Sequence, residues 1–83
     1  MFEDIVGQNV EVIVSFSQYV HEGGSSPIIY YGTLLESTAE RSVVNITSFA
    51  HTLYPPLIGN NMYKKQGKVF INNNYIVSIT ITP

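Results

Sequence analysis

Few side chains in this sequence have the types and spacing that catalysis requires. Its two histidines are His21, in a Gly-rich stretch, and His51, which alternates with Phe49 and Leu53 along an apolar run. A protein metal site needs three or four ligands at workable spacing, and no such cluster is visible. Neither a Gly-x-Ser-x-Gly segment nor a Gly loop followed by Lys-Ser or Lys-Thr is present. We therefore expect no enzymatic activity, no metal and no cofactor.

The polar side chains are better suited to binding. Asn72-Asn73-Asn74 supplies three amides in a row, and each amide both donates and accepts hydrogen bonds. The four cations are Arg41, Lys64, Lys65 and Lys68. Lysines can serve solubility and the protection of a sheet edge, whereas the guanidinium of Arg41 can stack on a base or pair with a phosphate.

Six tyrosines are many for a chain of this length. Exposed rings could stack on bases, but tyrosine also suits a core or a partly solvated contact between subunits. Most of these tyrosines adjoin β-branched residues, so we expect core and contact roles for them. They are Tyr19, Tyr30, Tyr31, Tyr54, Tyr63 and Tyr75.

The chain has 83 residues, the size of one small domain, and we assign residues 1–83 to a single domain. A domain this small buries only about 60% of its unfolded surface, and this one has no cysteine for a disulfide. Oligomerisation is a common source of stability for such chains. The net charge is −2, so no overall basic field attracts nucleic acid.

No apolar run approaches the ~20 residues of a membrane span, so no membrane partner is expected. The first residues, Met1 to Asp4, lack the basic start of a secretory signal. A cytoplasmic location is the expectation that follows.

Alternation of apolar and polar residues predicts three strands in the first two thirds of the chain. They run from Asn9 to Phe16, from Ile28 to Glu36 and from Val43 to Tyr54, where Pro55-Pro56 ends the third. A glycine inside a strand marks a bulge, a sharp bend or a close backbone approach, and we expect one of these at Gly32.

The two ends of the chain complete the predicted order. Phe2 to Val6 fits a short helix of about two turns. Leu57 to Gln66 is predicted to be a variable connector. The strands Gly67 to Ile71 and Tyr75 to Ile81 follow, joined by the asparagine run, and on their residues alone they indicate a C-terminal hairpin.

These last strands resemble the second motif of the Sm/LSm family, to which Hfq is related. In that motif a strand ending in Arg-Gly is followed by two variable residues and an apolar strand. Val69-Phe70-Ile71 and Ile76-Val77-Ser78-Ile79 match the apolar frame in type and spacing, with Asn72-Asn73 in place of Arg-Gly. Val10 to Val14 and Gly32-Thr33-Leu34 similarly resemble the family's first motif. Divergent Sm-like proteins of this kind also occur in viral and environmental sequences.

The resemblance implies a mostly β fold of the Sm type. This fold is a short N-terminal helix followed by a strongly bent, five-stranded antiparallel open barrel of the SH3-like kind, with the bend near Gly32. The stretch from Gln18 to Pro27 makes the first hairpin longer than the family's usual one. The resemblance also implies free edges at the fourth and fifth strands, through which subunits join into a homo-oligomeric ring of about five to seven copies.

In Sm-like rings the loops after the second and fourth strands face the central pore, and here these are Thr38 to Ser42 and Asn72 to Asn74. The family's first motif continues from Gly-x-Leu to Asp-x-x-Met-Asn. Counting from Gly32 without gaps puts Thr38 at the Asp and Arg41-Ser42 at the Met-Asn, whereas a three-residue insertion puts Val44-Asn45 there. The RNA-binding residues implied are Arg41, Ser42, Asn45, Asn72 and Asn73.

Two functions follow as hypotheses. The first is a ring that binds single-stranded RNA at its pore, as an RNA chaperone or an RNA-processing scaffold in a ribonucleoprotein. The second is a homo-oligomeric structural or protein-interaction module without nucleic-acid binding, which the acidic net charge and the missing Arg-Gly favour.

Overall fold

The computed structural model describes residues 1–15, 27–51 and 61–83. These residues form five strands and two short 3₁₀ turns. The turns span Glu3–Ile5 and Asn73–Tyr75. The strands are β1 (Asn9–Val14), β2 (Ile28–Ser37), β3 (Arg41–His51), β4 (Asn61–Asn72) and β5 (Ile76–Ile81).

All five strands belong to one antiparallel sheet with the order β4-β3-β2-β1-β5. The prediction of a C-terminal hairpin is therefore wrong, because β4 pairs with β3 and β5 pairs with β1 at the opposite edge. A tight two-residue hairpin turn requires positive φ. In the described ranges no residue other than glycine has positive φ, and the Asn73–Tyr75 turn leads the chain away from β4 instead.

The core lies on one face of this sheet. Val10, Val12 and Val14 of β1 are almost fully buried, as their alternation predicts, and each such side chain contributes about 1.5–3 kcal/mol. Four residues from other strands complete the cluster, and eight partly buried side chains pack around it. The four are Leu34, Val44, Ile46 and Ile71. Strand β1 ends two residues before the predicted Phe16, which lies outside the described residues.

Gly32 allows a close approach between β2 and β3, which confirms the expectation for this glycine. A Cβ atom at this position would lie 2.1 Å from the backbone oxygen of Asn45. The register between the two strands shifts at the same place, between Tyr31 and Gly32. A glycine at a bulge thus lets two backbones meet without a side chain between them.

The β3–β4 pair is longer than the sequence predicts. Strand β3 begins at Arg41, two residues before the predicted Val43. Strand β4 begins at Asn61, so residues 61–66 are not part of a connector as predicted. The ladder continues to the pair His51–Asn61, and exposed polar side chains such as Lys64 are tolerated because β4 is an edge strand.

The N-terminal helix is one 3₁₀ turn, Glu3–Ile5, instead of about two helical turns as the sequence suggests. Gly7 ends it with φ of 92°, and its amide donates to the backbone oxygen of Leu34 at 2.7 Å. Phe2 and Ile5 pack against the core. The segment is short because both its ends are tied to the sheet, which leaves too few residues for i→i+4 hydrogen bonds.

Candidate nucleic-acid interface

Two turns that are distant in sequence meet at one end of the sheet, and Asn73 joins them. Its backbone N–H donates to the oxygen of Glu40 at 2.8 Å. Its side-chain Nδ2 donates to the backbone oxygen of Thr38 at 2.8 Å. Its Oδ1 accepts a hydrogen bond of 2.7 Å from the hydroxyl of Ser42. The Asn72–Asn74 run is thereby fixed against the turn between β2 and β3, which brings together the two loops that the sequence singled out.

A relay of hydroxyl groups extends this network to the N-terminal segment. The hydroxyls of Ser37 and Ser42 lie 3.1 Å apart, and the N–H of Phe2 donates to Ser37 Oγ at 2.9 Å. Because Ser42 gives its only hydroxyl proton to Asn73, Ser37 must donate to Ser42. Ser42 is 0% exposed and Asn73 is 6% exposed. Their side-chain hydrogen bonds are therefore made within the protein.

Thr38 shapes the turn between β2 and β3. Its Oγ1 accepts hydrogen bonds from the backbone N–H groups of Glu40 and Arg41, at 3.2 and 3.1 Å. Its backbone N–H donates to the oxygen of Arg41 at 2.8 Å. A threonine hydroxyl can organise a turn in this way, as an aspartate carboxylate does. Thr38 is the residue that the ungapped comparison puts at the family's Asp.

Arg41 and Asn72 lie directly opposite each other, as partners at the ends of β3 and β4, and both are exposed. Asn72 Oδ1 accepts the backbone N–H of Asn74 at 2.9 Å, which orients its amide. The guanidinium of Arg41 lies 5.2 Å from the centre of the Phe70 ring. Its Nη2 atom lies 3.7 Å from Glu36 Oε1, in an ion pair whose two side chains are about half exposed.

Phe70 is an exposed residue beside Arg41 that the sequence does not single out as a candidate site residue. Its side chain is 59% exposed, and it is the aromatic member of the exposed large apolar residues in the described part of the chain. The alternation of β4 indicates this exposure. Phe70 lies on the same face of the strand as Lys68 and Asn72, and the core residue Ile71 lies on the other face.

Asn45 is the one predicted site residue that lies apart from the two turns. It pairs with Lys68 in the middle of the β3–β4 ladder, and its side chain is exposed. Ser42, not Asn45, contacts the asparagine run. The placement of Arg41-Ser42 or of Val44-Asn45 at the family's Met-Asn stays a prediction.

Two of the described tyrosines pack against the core, as predicted, and the subunit-contact role stays a prediction. Tyr30 and Tyr75 pack against the core cluster, and burial raises the pKa of Tyr30. Tyr31 is half-buried, and its pKa is raised first by burial and then by the charge and hydrogen bond of the Glu11 carboxylate. Tyr19, Tyr54 and the side chain of Tyr63 lie outside the described residues.

Across residues 1–15, 27–51 and 61–83, no three His, Cys, Asp or Glu side chains are grouped so that they could hold a metal ion. His21 lies outside these ranges, as does the long stretch from Gln18 to Ser26. Within the same part of the chain, no helix has the length and apolar character needed to cross a membrane.

No family model matches the chain, and no curated protein or solved structure matches it either. The Sm-like assignment thus stays a prediction, for which the described residues give an antiparallel five-stranded open sheet and a short N-terminal 3₁₀ turn.

Proposed function

We propose that this protein is an Sm-like subunit of a homo-oligomeric ring that binds single-stranded RNA at the end of the sheet where its two turns meet. The observation that carries the proposal is the meeting of these turns through Asn73, which leaves Arg41 and Asn72 exposed side by side. The role would be that of an RNA chaperone or a scaffold for RNA processing.

The support for RNA comes from the chemistry of the two exposed side chains. Single-stranded bases are recognised by stacking and by hydrogen bonds to their edges. The guanidinium of Arg41 can stack on a base or pair with a phosphate. The amide of Asn72 can both donate to and accept from a base edge. One such pair binds weakly, but a ring repeats it in every subunit, so the contacts add by multivalency.

The support for a ring comes from the two edges of the sheet. Among the described strands, β4 and β5 each pair with only one neighbour. Strand β5 carries the exposed apolar side chains Val77 and Ile81. Free apolar edges aggregate unless something covers them. Pairing β4 of one subunit with β5 of the next satisfies both edges, and such a head-to-tail contact closes into a ring or continues as a fibre.

Fluorescence anisotropy with labelled uridine-rich and adenine-rich oligonucleotides tests RNA binding. The titration is made at low salt, where phosphate contacts are strongest, and is repeated at rising salt. We expect saturable binding that weakens as salt increases. An anisotropy that stays constant at low salt, with both oligonucleotides, would contradict the proposal.

A second candidate is a ring-shaped protein-interaction module without nucleic-acid binding. The specific observation in its favour is Glu36, whose carboxylate lies 3.7 Å from Arg41 and offsets the charge of this cation. The net charge of −2 acts in the same direction. Co-purification from the host would then yield a bound protein and no RNA, whereas an absorbance ratio typical of nucleic acid in the purified ring would exclude this candidate.

A further inference from the structure

The outer face of the β3–β4 pair, opposite the core, carries a compact set of six side chains, five of them exposed and one, Val43, buried. Backbone register places them in three adjacent cross-strand rows. Arg41 lies opposite Asn72, Val43 opposite Phe70, and Asn45 opposite Lys68. Because side chains two residues apart on a strand point to the same face, all six belong to one surface. We call this surface the Phe70 face.

The composition of the Phe70 face differs from that of an ordinary solvated sheet. An exposed aromatic ring lies in the middle row, and each outer row combines one cation with one amide. The cation and amide of one outer row are Arg41 and Asn72, and those of the other are Lys68 and Asn45. Val43, between them, is only 6% exposed although it is not part of the core cluster.

This arrangement has the elements that single-stranded nucleic acid requires from a protein. An aromatic side chain on a sheet surface offers a stacking plane to any base. Cations on either side can neutralise the phosphates that flank the stacked base, and the amides can reach its edges. The three rows span five residues of β3, from Arg41 to Asn45, and the four steps between them cover roughly 13 Å along the strand. This length suits a short single-stranded segment more than one isolated base.

The guanidinium of Arg41 lies over the Phe70 ring, 5.2 Å from the ring centre. Its ion pair with Glu36, at 3.7 Å between half-exposed side chains, is of the kind that contributes little. Arg41 can therefore exchange Glu36 for a phosphate without a large loss. Lys68, two residues before Phe70 on β4, is likewise exposed.

We propose that Phe70 is a base-stacking residue, and that bound RNA runs across the Phe70 face with Arg41 and Lys68 on either side of the stacked base. This inference rests on the proposed function, and it adds a stacking residue and a direction along the strands to a site that the sequence confines to the two turns. The alternative occupant of Phe70 is a second copy of the chain, whose strand would cover the ring at the β4 edge.

Two substitutions at Phe70 test the proposal against that alternative. Phe70→Leu keeps an apolar side chain and removes the ring, so it should weaken the binding of a labelled uridine-rich oligonucleotide by roughly fivefold to a hundredfold. Its sedimentation profile should equal that of the wild type. Phe70→Trp should retain binding. Because the chain has no tryptophan, this variant carries a single indole, whose fluorescence should be quenched on saturation.

Val6→Trp is the matched fluorescence control, since Val6 is exposed but lies in the N-terminal segment outside the Phe70 face. Its indole should respond weakly to the same oligonucleotide. If wild type binds and Phe70→Leu binds equally well, the stacking inference is wrong while the proposed function stands. If Phe70→Leu changes the assembly size, Phe70 belongs to a contact between copies and the inference is again wrong. If wild type fails to bind at low salt, both proposals fall.

Discussion

Arg41 and Asn72 share one cross-strand row, but they should contribute to RNA binding in different ways. Arg41→Ala removes a phosphate-pairing cation, so we expect weaker binding and a salt dependence that is flatter by about one unit of slope. Asn72→Ala removes a neutral hydrogen-bonding group, so we expect weaker binding with little change of slope. Anisotropy titrations at several salt concentrations measure both quantities.

Lys65→Ala is the control for this pair, because it also removes one exposed cation but lies in the other half of β4. It should reduce affinity and slope less than Arg41→Ala does. Equal affinities for Arg41→Ala, Asn72→Ala and wild type would show that RNA, if bound, is held elsewhere.

Asn73 should matter for stability more than for any direct contact. Asn73→Ala removes the acceptor of the buried Ser42 hydroxyl proton and one of the two donors to the Thr38 carbonyl, which should lower the free energy of unfolding by about 1–3 kcal/mol. Asn74→Ala, at the exposed neighbouring position, should change it by less than about 0.5 kcal/mol. Urea titrations followed by circular dichroism give both values, and equal stability of the two variants would contradict the structural role of Asn73.

The predicted site residues show what sequence can and cannot reveal at this scale. Arg41, Ser42, Asn72 and Asn73 do come together, because the hydrogen bonds of Asn73 hold the Asn73–Tyr75 turn against the turn between β2 and β3. The hydrogen bonds of the buried Ser42 could not be predicted, since its partners Ser37 and Asn73 lie on other parts of the chain. Phe70 was predictable in principle, because its alternation with Ile71 already directs it away from the core.

Gly32 determines the geometry of the β2–β3 pair. Gly32→Ala would place a Cβ atom 2.1 Å from the Asn45 carbonyl oxygen, so the strands must separate, at a cost of about 3 kcal/mol or more. Gly7→Ala is the comparison, because its Cβ would meet no atom within 4 Å and would suffer only from the φ of 92°, at about 1–2 kcal/mol. Thermal or urea unfolding should rank Gly32→Ala as the less stable variant, and the reverse order would contradict the close approach.

The edge strands are where element-level prediction failed. Strand β1 follows from its alternation, because Val10, Val12 and Val14 are buried against the core. Strand β2 follows from Tyr30 and Leu34, which share the face that packs on the core. The first half of β4 gives no such pattern, since the polar residues Lys64 to Gln66 lie at an edge where neither face has to be apolar. This half of β4 is a strand because it pairs with β3, and the local sequence does not reveal that pairing. The hairpin prediction also failed because of contacts between distant parts of the chain. Asn73 makes hydrogen bonds to the turn between β2 and β3, and the asparagine run does not reverse the chain.

The free edge of β5 can be tested with one proline. The N–H of Thr82 donates to the oxygen of Asn9 at 2.8 Å, and Ile81 is the partner of Val10. Since backbone groups of successive residues point to opposite sides of a strand, the N–H of Ile81 points to the free edge. Ile81→Pro should therefore disrupt assembly while the monomer stays folded.

Ile81→Thr is the matched control, because it changes the same exposed side chain and keeps the N–H. It should assemble more completely than Ile81→Pro at equal concentration in sedimentation equilibrium. If the two variants assemble alike, the β5 edge does not carry the contact between subunits.

At the scale of the whole molecule, the sheet order relates assembly to RNA binding. Strands β4 and β5 occupy opposite edges, so a head-to-tail contact between copies repeats every surface around one axis. The Arg41–Asn72 row lies at the end of β4, next to the edge where the neighbouring subunit would join. Each contact between subunits would thus bring one more copy of this row to the RNA, which raises the effective concentration of binding groups.

Sedimentation velocity of the protein mixed with a fluorescein-labelled uridine-rich oligonucleotide tests this account most directly, because one run reports both assembly and binding. At micromolar protein and low salt, we predict that the dye sediments with a particle of about five to seven subunits. Sedimentation of the protein as a 9.3 kDa monomer, with the dye moving as free oligonucleotide, would contradict it.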